Sequence, residues 1–215
     1  MPRALTELEI QLKKDFIINH ALSLFESTTF KTFLMDDLAA ICGVSKGILF
    51  RYFSSKEELF LQMLLRTYKE TFQRFEQEVQ NKNEMSVDEL KEVIEKQFVV
   101  YLDSKSAFVR LLALKGTLLD EKQSYDTMLD FKNEVNSFMI SYAQNIMFKV
   151  PTVKLEDLLC LFRFQVLLCV GFSNTNIKEQ GRSIVEDNDL DSYQIDCYQM
   201  TTQAFQLYIK QVLHK

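Results

Sequence analysis

The sequence predicts an all-α protein, and three observations predict it. Gly (5) and Pro (2) are scarce among 215 residues, so many short strands joined by tight turns are disfavoured. Apolar residues recur at three- and four-residue steps along most of the chain. Helix-start signals, such as Ser86 with Glu89 three residues later, stand where those runs begin. Hydrophobic residues make up 47% and charged residues 26%, a globular composition. The length suits one domain of ordinary size, or a small head with a larger body.

Taken in order, Leu5, Leu8, Leu12, Phe16, Ile17, His20, Ala21, Leu24 and Phe25 predict one amphipathic helix with this stripe inward, ended by Ser27-Thr28-Thr29. Met35 to Ile41 predicts a short second helix. Asp36 and Asp37 lie in its first turn, where the helix dipole favours carboxylates. Gly43 breaks it, and Ser45 is the expected N-cap of a third helix ending near Phe53. Ser54 or Ser55 caps a long fourth helix reaching about Asn81. A polar connection at 81–85 precedes the Ser86 capping box and a helix to Leu102. Shorter helices are expected over 105–119 and a long one over 124–149, ending before Pro151. The most apolar helix spans Leu155 to about Ile177; a polar, acidic link and a last helix from Ser192 to His214 follow. No internal repeat or low-complexity tract is visible.

Several functions are set aside. The chain has two histidines, His20 and His214, and no G-x-S-x-G, P-loop or G-x-G-x-x-G. No catalytic residue, metal or cofactor is expected. The four cysteines, Cys42, Cys160, Cys169 and Cys197, lack C-x-x-C spacing and are expected reduced and mostly buried, as in a cytoplasmic protein. No apolar leader is visible, and Glu156, Asp157, Arg163 and Gln165 interrupt the most apolar run, so no membrane span is expected. The net charge of −5 argues against non-specific coating of nucleic acid but allows a local basic face.

Such a face is present. From Leu38 to Lys56 there is no acidic residue, while Lys46, Arg51 and Lys56 are basic. Two short helices joined at a Gly are the helix-turn-helix pattern, in which the second helix can enter a major groove. Leu38, Cys42, Val44, Leu49 and Tyr52 are expected to face inward and Ala39 to sit at a close crossing. Ser45, Lys46, Gly47, Ile48, Phe50 and Arg51 are expected outward. Carboxylates on that face would be repelled by phosphates. The bare spacing also fits a helical protein-interaction adaptor.

Leu24-Phe25, Phe30, Met35-x-Asp37-Leu38-Ala39, Gly43-Val44-Ser45-x-Gly47, Leu49-Phe50-x-Tyr52-Phe53 and Lys56-Glu57-x-Leu59 together resemble the head of the TetR family of bacterial repressors, over residues 8–65. The resemblance implies a three-helix DNA-binding head, residues 1–55. It also implies a helical ligand-binding and dimerisation body, residues 56–215, entered through a connecting helix at 56–81. It implies a ligand-responsive regulator, acting as a repressor on an inverted-repeat DNA operator, dimeric through the helices at about 155–177 and 192–214. A DNA-bound dimer without ligand is the further alternative. Carried over by position, Ser45, Lys46, Gly47 and Ile48 begin the recognition helix. Phe50 and Tyr52 take aromatic positions, Arg51 reaches a base edge or phosphate, and Lys56 reaches the phosphate backbone. Phe33-Leu34 replaces the family's usual Thr-Thr or Thr-Ser pair, which removes a side-chain cap; Thr32 is the expected partial substitute. Ile48 and Phe50 lack hydroxyls the family usually has there, which points to thymine-methyl contacts at an A·T-rich site.

For the body the reading is physical. An apolar or amphipathic effector is expected among Tyr101, Phe108, Phe131, Phe138, Tyr142, Phe162 and Phe172. Arg163 and Gln165, polar inside an apolar helix, are expected to be buried, either as ligand anchors or, for Arg163, in an ion pair across a dimer.

Overall fold

A computed structural model describes residues 6–82, 84–102, 106–175 and 196–213. The described residues contain helices and turns and no strand. The helices are α1 (Glu7–Ser27), α2 (Met35–Cys42), α3 (Lys46–Tyr52), α4 (Lys56–Gln80), α5 (Val87–Tyr101), α6 (Ala107–Leu114), α7 (Tyr125–Lys149), α8 (Leu155–Thr175) and α9 (Cys197–Val212). A wide π turn (Lys115–Leu119) and a 3₁₀ turn (Asp120–Lys122) join α6 to α7. The expected link before α9, and the start and end expected for that helix at Ser192 and His214, lie outside the described residues.

Local chemistry accounts for the starts. Thr6 and Ser86 each close a full capping box with the Glu three residues on, Glu9 and Glu89. Asp196 accepts from the Gln199 N–H and starts α9.

The chain divides into two compact units. The first comprises Met1–Glu70 and Leu114–Val135. Its centre is Phe60, ringed edge-on by Phe30, Phe33 and Phe25 with centroids 4.8, 5.0 and 5.2 Å away. Ile17, Ile18, Ala21, Leu38, Leu49 and Phe53 complete the apolar interior. Ion pairs Arg66–Asp15, Lys122–Glu57 and Lys69–Glu134 lie around it.

The expected inner stripe of α1 holds only in its second half. Ile17, Ala21 and Phe25 are buried, whereas Leu8, Leu12 and Phe16 are exposed; Leu5 lies outside the described residues. At 69% and 59% exposure, Leu8 and Leu12 have little of the described chain against them, and periodicity alone does not bury a stripe. His20 is half-buried, with Nδ1 2.9 Å from the Phe16 carbonyl and its ring against Phe16.

The second unit comprises Thr71–Ala113 and Asn136–Lys215. Here α9 packs on α8 and α5. Phe98 meets Phe205 at 4.2 Å and Phe164 meets Tyr208 at 4.1 Å. Leu90, Leu111, Leu112, Ala143, Ile146, Leu158 and Leu161 are also buried. The Met85 N–H donates to the Lys149 carbonyl and ties the 81–86 connection down.

All four cysteines are free, but the expected burial holds only for Cys169. Cys42 and Cys197 are half-buried and Cys160 is exposed. Cys160 sits on the exposed face of α8. No helix among the described residues is long and apolar enough to cross a membrane.

Candidate nucleic-acid interface

The turn between α2 and α3 is built by Gly43 in the left-handed region, at φ 67° and ψ 30°. An L side chain there would be strained, which is why Gly is required. The Gly43 N–H meets the Ala40 carbonyl and the Val44 N–H meets the Ala39 carbonyl at 3.0 Å, the double closure of a Schellman cap. Leu38 and Leu49 are fully buried and Ala39 nearly so, which fixes the crossing of the two helices. Cys42, Val44 and Tyr52 are half-buried behind them.

Ser45, Lys46, Gly47, Ile48, Phe50 and Arg51 are all exposed on the turn and α3, around the buried Leu49, as the spacing predicts. Ser45 occupies the N-cap position, but its hydroxyl makes no capping bond. The Lys46 ammonium pairs with Asp36 across 2.8 Å, both partners exposed. Arg51 has no ion pair among the described residues. The face therefore presents one engaged cation, one unengaged cation and two apolar side chains, Ile48 and Phe50.

Two expectations at its margin are corrected. Thr32 does not cap α2: its hydroxyl and amide bond back to Thr29, and Leu34 at the N-cap position makes no side-chain bond. Lys56 does not point outward. Its ammonium donates to the Phe33 carbonyl at 2.6 Å and to the Phe30 carbonyl, and it lies 4.4 Å from the centre of the Phe30 ring. Partial burial lowers its pKa. Ser55 Oγ accepts from the Glu58 N–H and starts α4. The Phe33-Leu34 departure acquires a reason here: Phe33 is buried against Phe60, and a Thr would leave that space open.

In the second unit, Tyr142 and Phe162 come together at 5.0 Å, and Tyr101 meets Phe108 at 5.5 Å. Phe172 lies 6.4 Å from Tyr198, Phe138 is half-buried, and Gln165 is buried. Phe131 belongs to the first unit, against Tyr68 and under the Lys115 ammonium. Arg163 is exposed, contrary to the expected burial. It borders a surface groove of about 450 Å³ with Leu155, Glu156, Leu159 and Cys160. Its buried neighbours Leu161, Phe162 and Gln165 lie on other faces of the helix. The sequence reading missed Phe72 and Phe75 on α4, which contact Tyr142 at 5.3 and 4.5 Å. Their spacing with Val79 (i, i+3, i+7) was the available signal.

The geometry defines a helix-turn-helix protein. Residues 17–63 match the family described as bacterial regulatory proteins, tetR family. The helix-turn-helix head, from the second half of α1 to the start of α4, is thus similar to that of the family. It is 40% identical over 62 residues to the uncharacterized HTH-type transcriptional regulator YuxN of Bacillus subtilis, covering 29% of this chain and 21% of that protein. It is 29% identical over 143 residues to YerO of the same organism, likewise an uncharacterized HTH-type regulator, covering 62% of this chain and 48% of YerO. The matches thus span less than half the length of these curated relatives. In fold, the chain resembles a candidate TetR-family transcriptional regulator from Mesorhizobium loti, with TM-score 0.58, 17% identity and 94% and 97% of the two chains covered. It also resembles a TetR-family regulator from Pectobacterium atrosepticum, with TM-score 0.54, 14% identity and 98% and 99% covered.

Proposed function

We propose that the chain is a DNA-binding transcriptional repressor that works as a homodimer and leaves its operator when a small apolar or amphipathic effector binds its body. The observation that carries the DNA reading is the acid-free exposed face from Ser45 to Arg51, held rigid by the Gly43 cap. In this reading residues 1–55 serve as the head and 56–215 as the body, a division by role and not by packing. Ser45, Lys46, Gly47, Ile48, Phe50, Arg51 and Tyr52 meet the DNA. Arg51 supplies a guanine-edge or phosphate contact, and Ile48 and Phe50 meet thymine methyls. Lys56 acts from behind, holding the segment before α2 against α4.

Dimerisation is supported by an uncovered stripe on α8 and α9. Leu167 is 63% exposed and Leu207 71%. Cys160, Arg163 and Gly171 continue the first stripe, and Met200 and Gln203 the second. Exposed Leu167 on α8, with Met200 and Leu207 seven residues apart on the packed α9, fits a four-helix interface with a second copy. Arg163 then pairs with a carboxylate of the partner copy, which the exposed Glu156 nearby can provide. Two heads related by a two-fold axis must lie about 34–36 Å apart to enter successive major grooves. An effector bound more tightly by a different spacing releases the DNA. The aromatic group around Tyr142 is the favoured effector site. The protein works in the cytoplasm, where its DNA is.

Selection of a random DNA pool by the purified protein tests this. Enrichment of an inverted repeat supports a dimeric sequence-specific regulator. Enrichment of no sequence, even at low salt, leaves the helix-turn-helix as scaffold and favours the adaptor.

A further inference from the structure

Tyr142 on α7 is 4% exposed, and its hydroxyl is a buried polar atom without a hydrogen-bond partner among the described residues. Buried polar groups are nearly always paired, so an orphan of this kind marks a place for a missing atom. Its surroundings are chemically specific. The rings of Phe75, Phe162 and Phe72 lie 4.5, 5.0 and 5.3 Å from the Tyr142 ring. The nearby phenol of Tyr101 is already paired, donating to Gln97 Oε1 at 3.3 Å.

Two carboxylates are placed beside this hydroxyl by the helices: Glu76 accepts from Asn145, one turn along α7 from Tyr142, and Glu78 lies one turn along α4 from Phe75, whose ring meets Tyr142. Glu78 on α4 is half-buried and makes no hydrogen bond or ion pair among the described residues. Burial raises the pKa of both phenols, and the Glu78 carboxylate raises both further. Arg74 is the opposing cation, and it acts on Tyr101. An anion placed at Tyr142 would face two carboxylates, whereas a cation would be welcomed by them and by the aromatic faces.

We infer that the effector is an apolar molecule ending in a protonated amine, which donates a hydrogen bond to the Tyr142 hydroxyl oxygen and takes Glu78 as its counter-charge. This rests on the effector-site reading proposed above.

The test uses the full chain and three probes with one tail: 4-phenylbutylamine, 4-phenylbutanol and 4-phenylbutyrate. Calorimetry gives their affinities, and thermal unfolding follows the free protein. The amine binds more tightly than the alcohol, and at least about tenfold more tightly than the carboxylate, the equivalent of one charge-assisted contact. Tyr142→Phe leaves the unliganded midpoint unchanged or higher, because an unpaired hydroxyl is removed, yet weakens the amine about three- to tenfold. Glu78→Gln abolishes the preference of amine over alcohol. Equal or tighter binding of the carboxylate overturns the amine assignment while leaving the site in place. Unchanged amine binding in Tyr142→Phe overturns it too and assigns the orphan hydroxyl to a buried water. Binding of none of the three overturns the effector site together with the inference.

Discussion

The Lys56 ammonium and the Phe33 carbonyl are 2.6 Å apart, which joins the first residue of α4 to the segment that enters the helix-turn-helix. The same ammonium holds the Phe30 carbonyl and lies against the rings of Phe30, Phe33 and Phe60. One side chain thus satisfies two carbonyls of the segment before α2, at the edge of the first unit's core. Lys56→Met keeps the apolar stem but orphans both carbonyls, so unfolding is expected at a free energy lower by about 1.5–3 kcal/mol. Urea denaturation measures this. A loss below about 0.5 kcal/mol would mean that water replaces the ammonium freely.

Lys46 and Asp36 form an exposed pair, so the proposed recognition face carries a built-in competitor for one of its cations. The pair itself is worth little to stability. Its effect is on binding: Asp36→Asn frees Lys46 and removes a negative charge beside the DNA. Operator affinity is expected to rise a few-fold at low salt, with the gain shrinking as salt rises. A fall in affinity, measured by fluorescence anisotropy, would show that Asp36 orients Lys46 instead.

The outcome for these residues shows what was legible in the sequence. Gly43, the inward Leu38 and Leu49 and the outward Ser45–Arg51 face were readable because caps and 3.6-residue spacing are local properties. The inward turn of Lys56 was not, because it depends on carbonyls 23 and 26 residues away in the chain. Leu8 and Leu12 repeat the spacing of Ala21 and Phe25, yet they are exposed and the latter are buried. Periodicity names a face without saying how far along a helix its cover extends. Arg163 was misplaced for the converse reason: apolar neighbours on a helix do not bury a residue that points between them. In the candidate effector site, Tyr142 and Phe162 were legible as aromatics in helices, but the missing partner of the Tyr142 hydroxyl is a property of the assembled unit.

Glu89 gives the protein an acid-side dependence. Its carboxylate accepts from Lys82 and from the Ser86 amide and hydroxyl, which holds its pKa at about 2 against an ordinary 4.5. A carboxyl with a depressed pKa in the folded state stabilises above its unfolded value, and that contribution fades as pH falls from 4.5 towards 2. Glu89→Gln is therefore expected to lower stability at neutral pH and to match the wild type near the acid end of that window. Urea unfolding at a series of pH values checks this. A difference independent of pH would assign the effect of Glu89 to capping geometry alone.

The cysteines offer a probe of the dimer. Cys169 is buried and its thiol is pushed up to about 12, so it stays protonated and unreactive. Cys160 is exposed beside Arg163. At mildly alkaline pH, iodoacetamide is expected to label Cys160 in dilute protein and to leave Cys169 unmodified. Labelling of Cys160 slows as protein concentration rises and the α8–α9 faces meet. Leu167→Asp with Leu207→Asp abolishes that protection and gives a monomer by sedimentation. Protection that survives both substitutions would place the interface elsewhere.

The most direct test of the account is the salt dependence of DNA affinity, measured on an inverted repeat recovered by selection, for the wild type and for Lys46→Ala/Arg51→Ala. The account predicts a steep linear fall of log affinity with log salt for the wild type. For the double variant it predicts weaker binding at every salt concentration, with the slope shallower by about two, roughly one for each lost phosphate contact. The same slope and affinity in both proteins would contradict it, because the Ser45–Arg51 face would then not be the surface that meets DNA.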